Sequence, residues 1–512
     1  MTDRRFGVHK FGDGSLFGPS DATSTLSYGV EIDWDGDGLF DGTNEADRMV
    51  SWSSFRGRQN LLRPNGAGFE NVQTGTLTIV LDNSDDRYTS MNASSPLYPN
   101  VEEGKEVRFR VRDMSGSVSS YPVFYGRIDD IQTQGRFCTL KIEDTWRVLR
   151  TGPSTVKVYQ NITPDTAAGY ILDSISWPTR WGRDFDTFAD IIPYWWASGN
   201  STAAEELENL ASSFLSFFCI DASGQAKFIS RTTVGASAAN YFQEEILKDF
   251  NNRQSGKNRY NVMRIKTHPR TQATTGTIYQ QTGTAPSIAA GATLTLFVDY
   301  KYNNINCPAI NIIAPVATTD YTANTLANGT GTDKTSNVSV TLTDFGDTAK
   351  IVIVNSDAST VYMTLLKVRG DAIYEASSAD ITYPTNLDSV VLKKQFLLDL
   401  KNQQDINAAI SFAGVYGPFL DQQNLFPAIK IENRPTLQYP PDLFDVVSLT
   451  VTQKGIDGLS FRVGGIQHQS DASIKTCQRV TTTIFLEPYI SSASFWVWDT
   501  ASVFDTSTIF GY

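Results

Sequence analysis

The chain has 512 residues, which at roughly 150 per domain predicts three or four domains. Forty-three Lys plus Arg against 55 Asp plus Glu give a formal charge of −12 and a pI near 4.9, which argues against broad, sequence-independent DNA binding. At 40% hydrophobic, with 9 Trp, 21 Tyr and 29 Phe, the composition supports packed cores and excludes wholesale disorder.

Residues 1–24 read as an N-terminal arm whose opening, MTDRRFGVHKFGDGS, lacks the apolar stretch of a secretory signal. Strand signals follow. Residues 28–34 (YGVEIDW), 76–82 (TLTIVLD), 106–112 (EVRFRVR) and 138–144 (CTLKIED) alternate apolar and polar side chains with period two. Residues 123–131 (VFYGRIDDI) add another strand, with Gly126 at a bulge or a point of close packing. Turn-forming residues at 82–86 (DNSDD) and 94–96 (SSP) separate them, and a small antiparallel barrel is predicted over 25–150.

An α+β segment is expected over 151–265. Pro164 opens a helix through Ala167, Ile171, Leu172 and Ile175, and a second starts at residues 201–205 with Leu207, Leu210, Ala211 and Phe214 on one face. Residues 216–229 read as a hairpin turning at Gly224. From 266 to 378 the composition shifts to Thr, Ala, Asn and Gly, and strands at 293–298, 338–342, 350–354 and 361–368 predict a β-sandwich insert. Over 379–490 the expectation is a helix at 390–409 (VVLKKQFLLDLKNQQDINAA) followed by strands at 428–432, 446–451, 460–467 and 481–486, a second small barrel. Residues 491–512 form an aromatic tail, in which 504–511 echo the F-to-G spacing of 11–18. The fold class is therefore mainly β with some α (α+β), built from two small barrels, a connector and an insert. No apolar run reaches the ~18 residues of a membrane-spanning helix.

The residues that usually carry chemistry are sparse. Cys138, Cys219, Cys307 and Cys477 lie at least 81 positions apart, and His9, His268 and His468 are too scattered for a zinc site. Neither a nucleophile elbow nor a phosphate loop is present. Asp129 and Asp130 on a strand point to opposite faces, and Glu205 and Glu206 suit a helix N-terminus, so neither pair reads as a glycosidase dyad. Trp195, Trp196, Trp177 and Trp181 fit packing better than sugar platforms. The basic run 253–270 fits a solvated edge or an acidic partner better than nucleic acid.

The sharpest motif is residues 33–41 (DWDGDGLFD). Asp33, Asp35, Asp37 and Asp41 stand at positions 1, 3, 5 and 9 of a calcium-type loop, with glycine at position 6 and the Leu39 carbonyl at position 7. Position 12 is Asn44 rather than the bidentate Glu, and a strand rather than a helix precedes the loop. Two readings stand: a solvated Asx-rich turn, or a structural Ca²⁺ site.

Taken in order, several segments resemble the minor tail, or tail-tip and baseplate hub, proteins of long-tailed bacteriophages. They are residues 30–38 (VEIDWDGDG), 52–60 (WSSFRGRQN), 75–88 (GTLTIVLDNSDDRY), 95–100 (SPLYPN) and 107–112 with 122–128 (PVFYGRI). The helix ending in Trp177-Pro178, the hairpin 221–228 and residues 260–263 (YNVM) complete the set. The resemblance implies a homotrimeric hub at the distal end of the tail, similar to that of contractile-phage baseplates. Each chain would supply two barrels, so that three chains match a sixfold tube. Its implied partners are distal tail or tail tube proteins, the tape measure protein, and tail fibre or spike proteins, with viral DNA passing an acidic lumen without specific binding. The insert lies outside the hub pattern and implies a contact with a neighbouring tail protein or a host-surface glycan. A structural, non-enzymatic role follows; the alternatives are a receptor-binding tail protein and a tail-associated cell-wall hydrolase.

Overall fold

The computed structural model describes residues 26–490 apart from 41, 114–118, 153–155, 198–200, 232, 234–236, 243–249, 254–257, 388–389, 391, 423, 433 and 471–478. The expected arm, the aromatic tail and the echo between 11–18 and 504–511 lie outside the described residues. The fold is mainly β, and among the described residues no helix is long and apolar enough to cross a membrane.

Alternating side chains build β1 (Leu26–Ile32), β3 (Gln73–Asp82), β4 (Glu106–Asp113), β5 (Ser119–Gln134) and β6 (Phe137–Asp144) as expected, and β2 (Met49–Gly57) adds a strand not predicted from the sequence. They pair antiparallel in the order β1-β4-β5-β6-β3-β2. Their inward residues form one core, with Tyr28, Trp52, Leu77, Ile79, Phe109 and Phe124 buried. Burying each such side chain contributes about 1.5–3 kcal/mol. At Gly126 a Cβ would collide with the Glu143 carbonyl of the neighbouring strand, which accounts for glycine there.

The structure adds one feature and overturns one expectation. The first is a sheet shared by the two regions read as barrels. Strand β2 also pairs antiparallel with Ile456–Ser470, Ser54 facing His468 and Gly57 facing Gly465. The C-terminal strands Val480–Pro488, Phe426–Glu432 and Val446–Val451 therefore continue the same 12-stranded sheet. Short strands Ser237–Phe242 and Phe250–Arg253, from the stretch read as connector, also join this end. A second core, including Ile429, Leu449, Phe461, Val463 and Ile484, lies under these strands.

The second is the helix predicted over 390–409. Residues Gln395–Leu400 are instead a strand, with Phe396, Leu398 and Leu400 buried and Leu397 exposed. Over so short a run, period two outweighs helical spacing. The helix, α3 (Ile406–Asp421), begins later, where Asp405 caps it by accepting from Asn407 N at 2.8 Å.

Helices α1 (Pro164–Ser174) and α2 (Ala203–Ser213) pack with the hairpin Phe217–Ile220 and Ala226–Ile229 around buried Trp177, Trp181, Trp195 and Phe228. Thr202 and Glu205 close a reciprocal capping box on α2. Strand Val262–Thr267 leads out into the Thr-rich segment, and Ala379–Tyr383 returns beside it, Thr267 facing Ala379. Between them, Val361–Glu375 pairs with five short strands, and a three-stranded sheet of Thr293–Asp299, Thr348–Asn355 and Val338–Asp344 shares its core.

Candidate functional site

Strand β1 ends at Ile32, where Asp33 N donates to Glu106 O on β4 at 2.9 Å and starts the acidic loop. Asp33 is buried; its Oδ1 accepts from Gly36 N at 2.8 Å and its Oδ2 from Gly38 N at 2.9 Å. Gly36 and Gly38 have φ of +80° and +87°, so the wrap of backbone about this carboxylate calls for glycine. Asp37 Oδ1 caps Leu39 N at 2.8 Å. One oxygen from each of Asp33, Asp35 and Asp37 lies within 4.8 Å of the others. A hydrogen bond to Asp33 and the nearby charge of Asp37 hold the Asp35 carboxyl above its ordinary range, as expected where like charges meet.

Two further ligands were expected, the Leu39 carbonyl and Asp41. The Leu39 side chain is exposed, and Asp41 lies outside the described residues. Asn44, at the twelfth position, is committed to β1: it accepts from Val30 N at 2.8 Å and donates to Tyr28 O at 3.0 Å. Glu45 accepts from Tyr88 and Arg87. Two cations flank the loop. A Cβ at Gly36 would sit 3.5 Å from Lys105 Nζ, and one at Gly38 would sit 3.9 Å from the Arg180 guanidinium. Arg180 and Arg127 both pair with Glu106, which also accepts from Tyr125. Burial pushes the Glu106 carboxyl up, but these donors win and bring it down to about 2.

The carboxylate pairs are engaged one by one. Asp129 pairs with Arg147 at 2.6 Å, Asp130 with Lys141 at 2.9 Å, and Asp85 with Arg48 at 2.8 Å. Trp177 and Trp181 meet edge to face at 5.0 Å inside the core, and Trp195 is fully buried. Within the basic run, Arg270 lies 4.1 Å over the Trp196 ring, Arg259 pairs with Asp421, and His268 bridges Glu375 and Asp399.

A set of groups with no sequence signal gathers where β2 meets Ile456–Ser470. Trp52 N donates to Ser470 Oγ at 2.7 Å. Arg56 pairs with Asp442 at 2.7 Å, and Arg58 with Glu487 at 2.6 Å. His468 is buried against Tyr439, with Nδ1 2.8 Å from Thr482 Oγ1, and burial drives its imidazole down to about 3. Asp144, accepting from Gly75 N and Trp146 N, is driven by burial up to about 7.

These two groups act in opposite senses. Below about 6.5 the unfolded chain protonates His468 and the fold does not, so its contribution is lost as pH falls from about 6.5 towards 3. The fold keeps a proton on Asp144 that the unfolded chain has released, so stability is lost as pH rises from about 4 to 7. Relative to wild type, His468→Gln is expected to steepen the loss with rising pH, and Asp144→Asn the loss with falling pH. Each change amounts to at most ~1.4 kcal/mol per pH unit. Melting temperatures between about pH 4 and 6.5 check both signs.

No protein-family model and no curated protein matches the chain. Among solved structures, the 43 kDa tail protein of prophage MuSo2 from Shewanella oneidensis is similar with a TM-score of 0.48 at 9% identity, over 92% of this chain and 100% of that one. The tail protein from Neisseria meningitidis MC58 has a TM-score of 0.46 at 10% identity, over 90% and 96%. A Francisella PdpA–VgrG complex has a TM-score of 0.42 at 9% identity, over 96% of this chain and 56% of that chain. The chain is thus similar to phage tail proteins and to a VgrG assembly.

Proposed function

We propose that the chain is a structural virion protein, the hub at the distal end of a phage tail. It closes the tail tube, joins sixfold tube to threefold tip, and opens as DNA passes. The observation that supports this reading best is the single sheet running from β1–β6 into the C-terminal strands over two separate cores. Two barrel-like units locked in one chain give six in a homotrimer, the number a sixfold tube needs. The hub-like segments at 30–128 fall on β1 to β5 and the loops between them. Distal tail and tube proteins, the tape measure protein and fibres or a spike are its partners. A peptidoglycan zymogram with the purified chain is expected to stay uncleared; clearing would turn the reading to a hydrolase.

The segment between Thr267 and Ala379 exposes Phe297 and Ile305 at 73% and 72%, which favours a contact role, with a neighbouring tail protein or a host glycan. Removing residues 269–376 is expected to leave tails intact; loss of adsorption would make this segment the adhesin.

The Asp33, Asp35 and Asp37 group takes a structural Ca²⁺ in the same reading. Calorimetry of chelator-treated protein with CaCl₂ is expected to show one saturable site, lost in Asp33→Asn. Absence of heat in the wild type leaves the loop an Asx turn.

A further inference from the structure

Arg462 and Glu487 face each other in the register of Ile456–Ser470 and Val480–Pro488. Directly opposed residues of an antiparallel pair are close enough to form an ion pair. Glu487 turns away, giving Oε1 to Arg58 Nε at 2.6 Å and Oε2 to Arg58 Nη2 at 2.7 Å. Arg462 is left 9% exposed, its Nε buried without a hydrogen-bond partner. Its guanidinium stands 4.7 Å from the Phe217 ring centroid and 5.4 Å from that of Tyr489. Ring faces attract a cation but do not supply the strong acceptors that its five N–H groups need. Among the described residues no carboxylate forms an ion pair with it.

Arg462 lines a cavity of about 70 Å³ bounded by α2, the loop after β2 and the C-terminal strands. A space of that size holds more than one or two waters. The other cations on its wall are matched: Arg58 by Glu487, and Arg231 by both oxygens of Asp190 at 2.8 and 2.9 Å. Of the three acids, Glu487 is taken by Arg58, Glu208 is held by Asn71, and Glu70, half-buried, gives only its backbone carbonyl to Arg58. Among the described residues Arg462 is thus the one lining cation without an ion pair, and beside it stand the apolar side chains of Leu61, Phe69, Leu215, Phe218 and Ile490. A planar guanidinium there suits a carboxylate, which it can hold through two parallel hydrogen bonds.

We propose that this cavity binds a small organic acid, its carboxylate on Arg462 and its apolar body against Phe69, Leu215 and Phe218. The site goes beyond the tail role and does not depend on it. Half-buried Asn71, Glu208 and Pro488 form its rim.

The test titrates the full chain with 4-bromobenzoate by calorimetry and soaks the same compound into crystals. Saturable binding is expected, with the bromine inside the cavity and the carboxylate facing Arg462. The neutral analogue 4-bromobenzyl alcohol is expected to bind at least tenfold more weakly, as is 4-bromobenzoate to Arg462→Met. Ser212→Trp, which fills the cavity from α2 and keeps the arginine, is expected to abolish binding should Arg462→Met fail to fold. No saturable binding to the wild type, equal binding to a folded Arg462→Met chain, equal binding of the alcohol, or bromine density elsewhere would each overturn the proposal.

Discussion

Glu487→Gln is expected to lower stability by about 3–5 kcal/mol, the cost of removing one partner from a buried ion pair. The pair is well sheltered, with side-chain exposures of 4% for Arg58 and 6% for Glu487. It is bidentate, and Arg58 Nη1 also donates to Glu70 O at 2.6 Å, so the guanidinium is fixed and cannot swing to water. Loss of the charge leaves Arg58 with only a carbonyl and neutral amide, and removes a negative charge whose field also reaches Arg462. Arg462→Met in the same chain is therefore expected to recover part of the loss. Urea midpoints of the single and double variants measure this coupling. If Glu487→Gln unfolds at the wild-type midpoint, the pair does not hold the junction together.

Gly57→Ala is expected to cost about 3 kcal/mol or more, from a left-handed backbone and from steric overlap together. Gly57 has φ +96° and ends β2 opposite Gly465. A Cβ here would run into Gly464 O, and would lie 2.7 Å from both Gly465 Cα and Leu443 Cδ2. The obstacle is mainly the backbone of a paired strand, which cannot rotate aside as a side chain would. Relief requires parting β2 from Ile456–Ser470, the only strand pairing between β1–β6 and the C-terminal strands among the described residues. Gly104→Ala is the control: it has φ +83° but no atom within 4 Å of its Cβ, so it carries the conformational cost alone. A midpoint for Gly57→Ala no lower than that of Gly104→Ala would show that the strands do not meet so closely.

The strands were legible where one face is buried and the other wet. Residues 76–82, 106–112 and 138–144 announce themselves because Leu77, Phe109 and Leu140 are buried while their neighbours reach solvent. Helix α2 was legible for a local reason too, the acids Glu205 and Glu206 in its first turn followed by Leu207, Leu210 and Ala211 on one face. The segment 390–409 misled because Leu397 is apolar yet 51% exposed, which completes a helical spacing that the fold does not use. The acidic loop was half legible: Asp33, Asp35 and Asp37 converge, but Asn44 serves β1 through hydrogen bonds to positions 14 and 16 residues earlier. The junction had one faint local sign. Trp52 meets Ser470 and Arg58 meets Glu487 across more than 400 residues, a separation that no local pattern can encode. The Gly464-Gly465 pair was the one available hint, since adjacent glycines inside a strand mark a close approach.

A tail-tip hub must be part of the particle and sit at one end of it. Antibody labelling of purified virions, read by electron microscopy together with the copy number from quantitative mass spectrometry, tests this most directly. The expected result is label confined to the distal end of the tail and three chains per particle. Label on the capsid or along the tube, or particles without the chain, would contradict a hub.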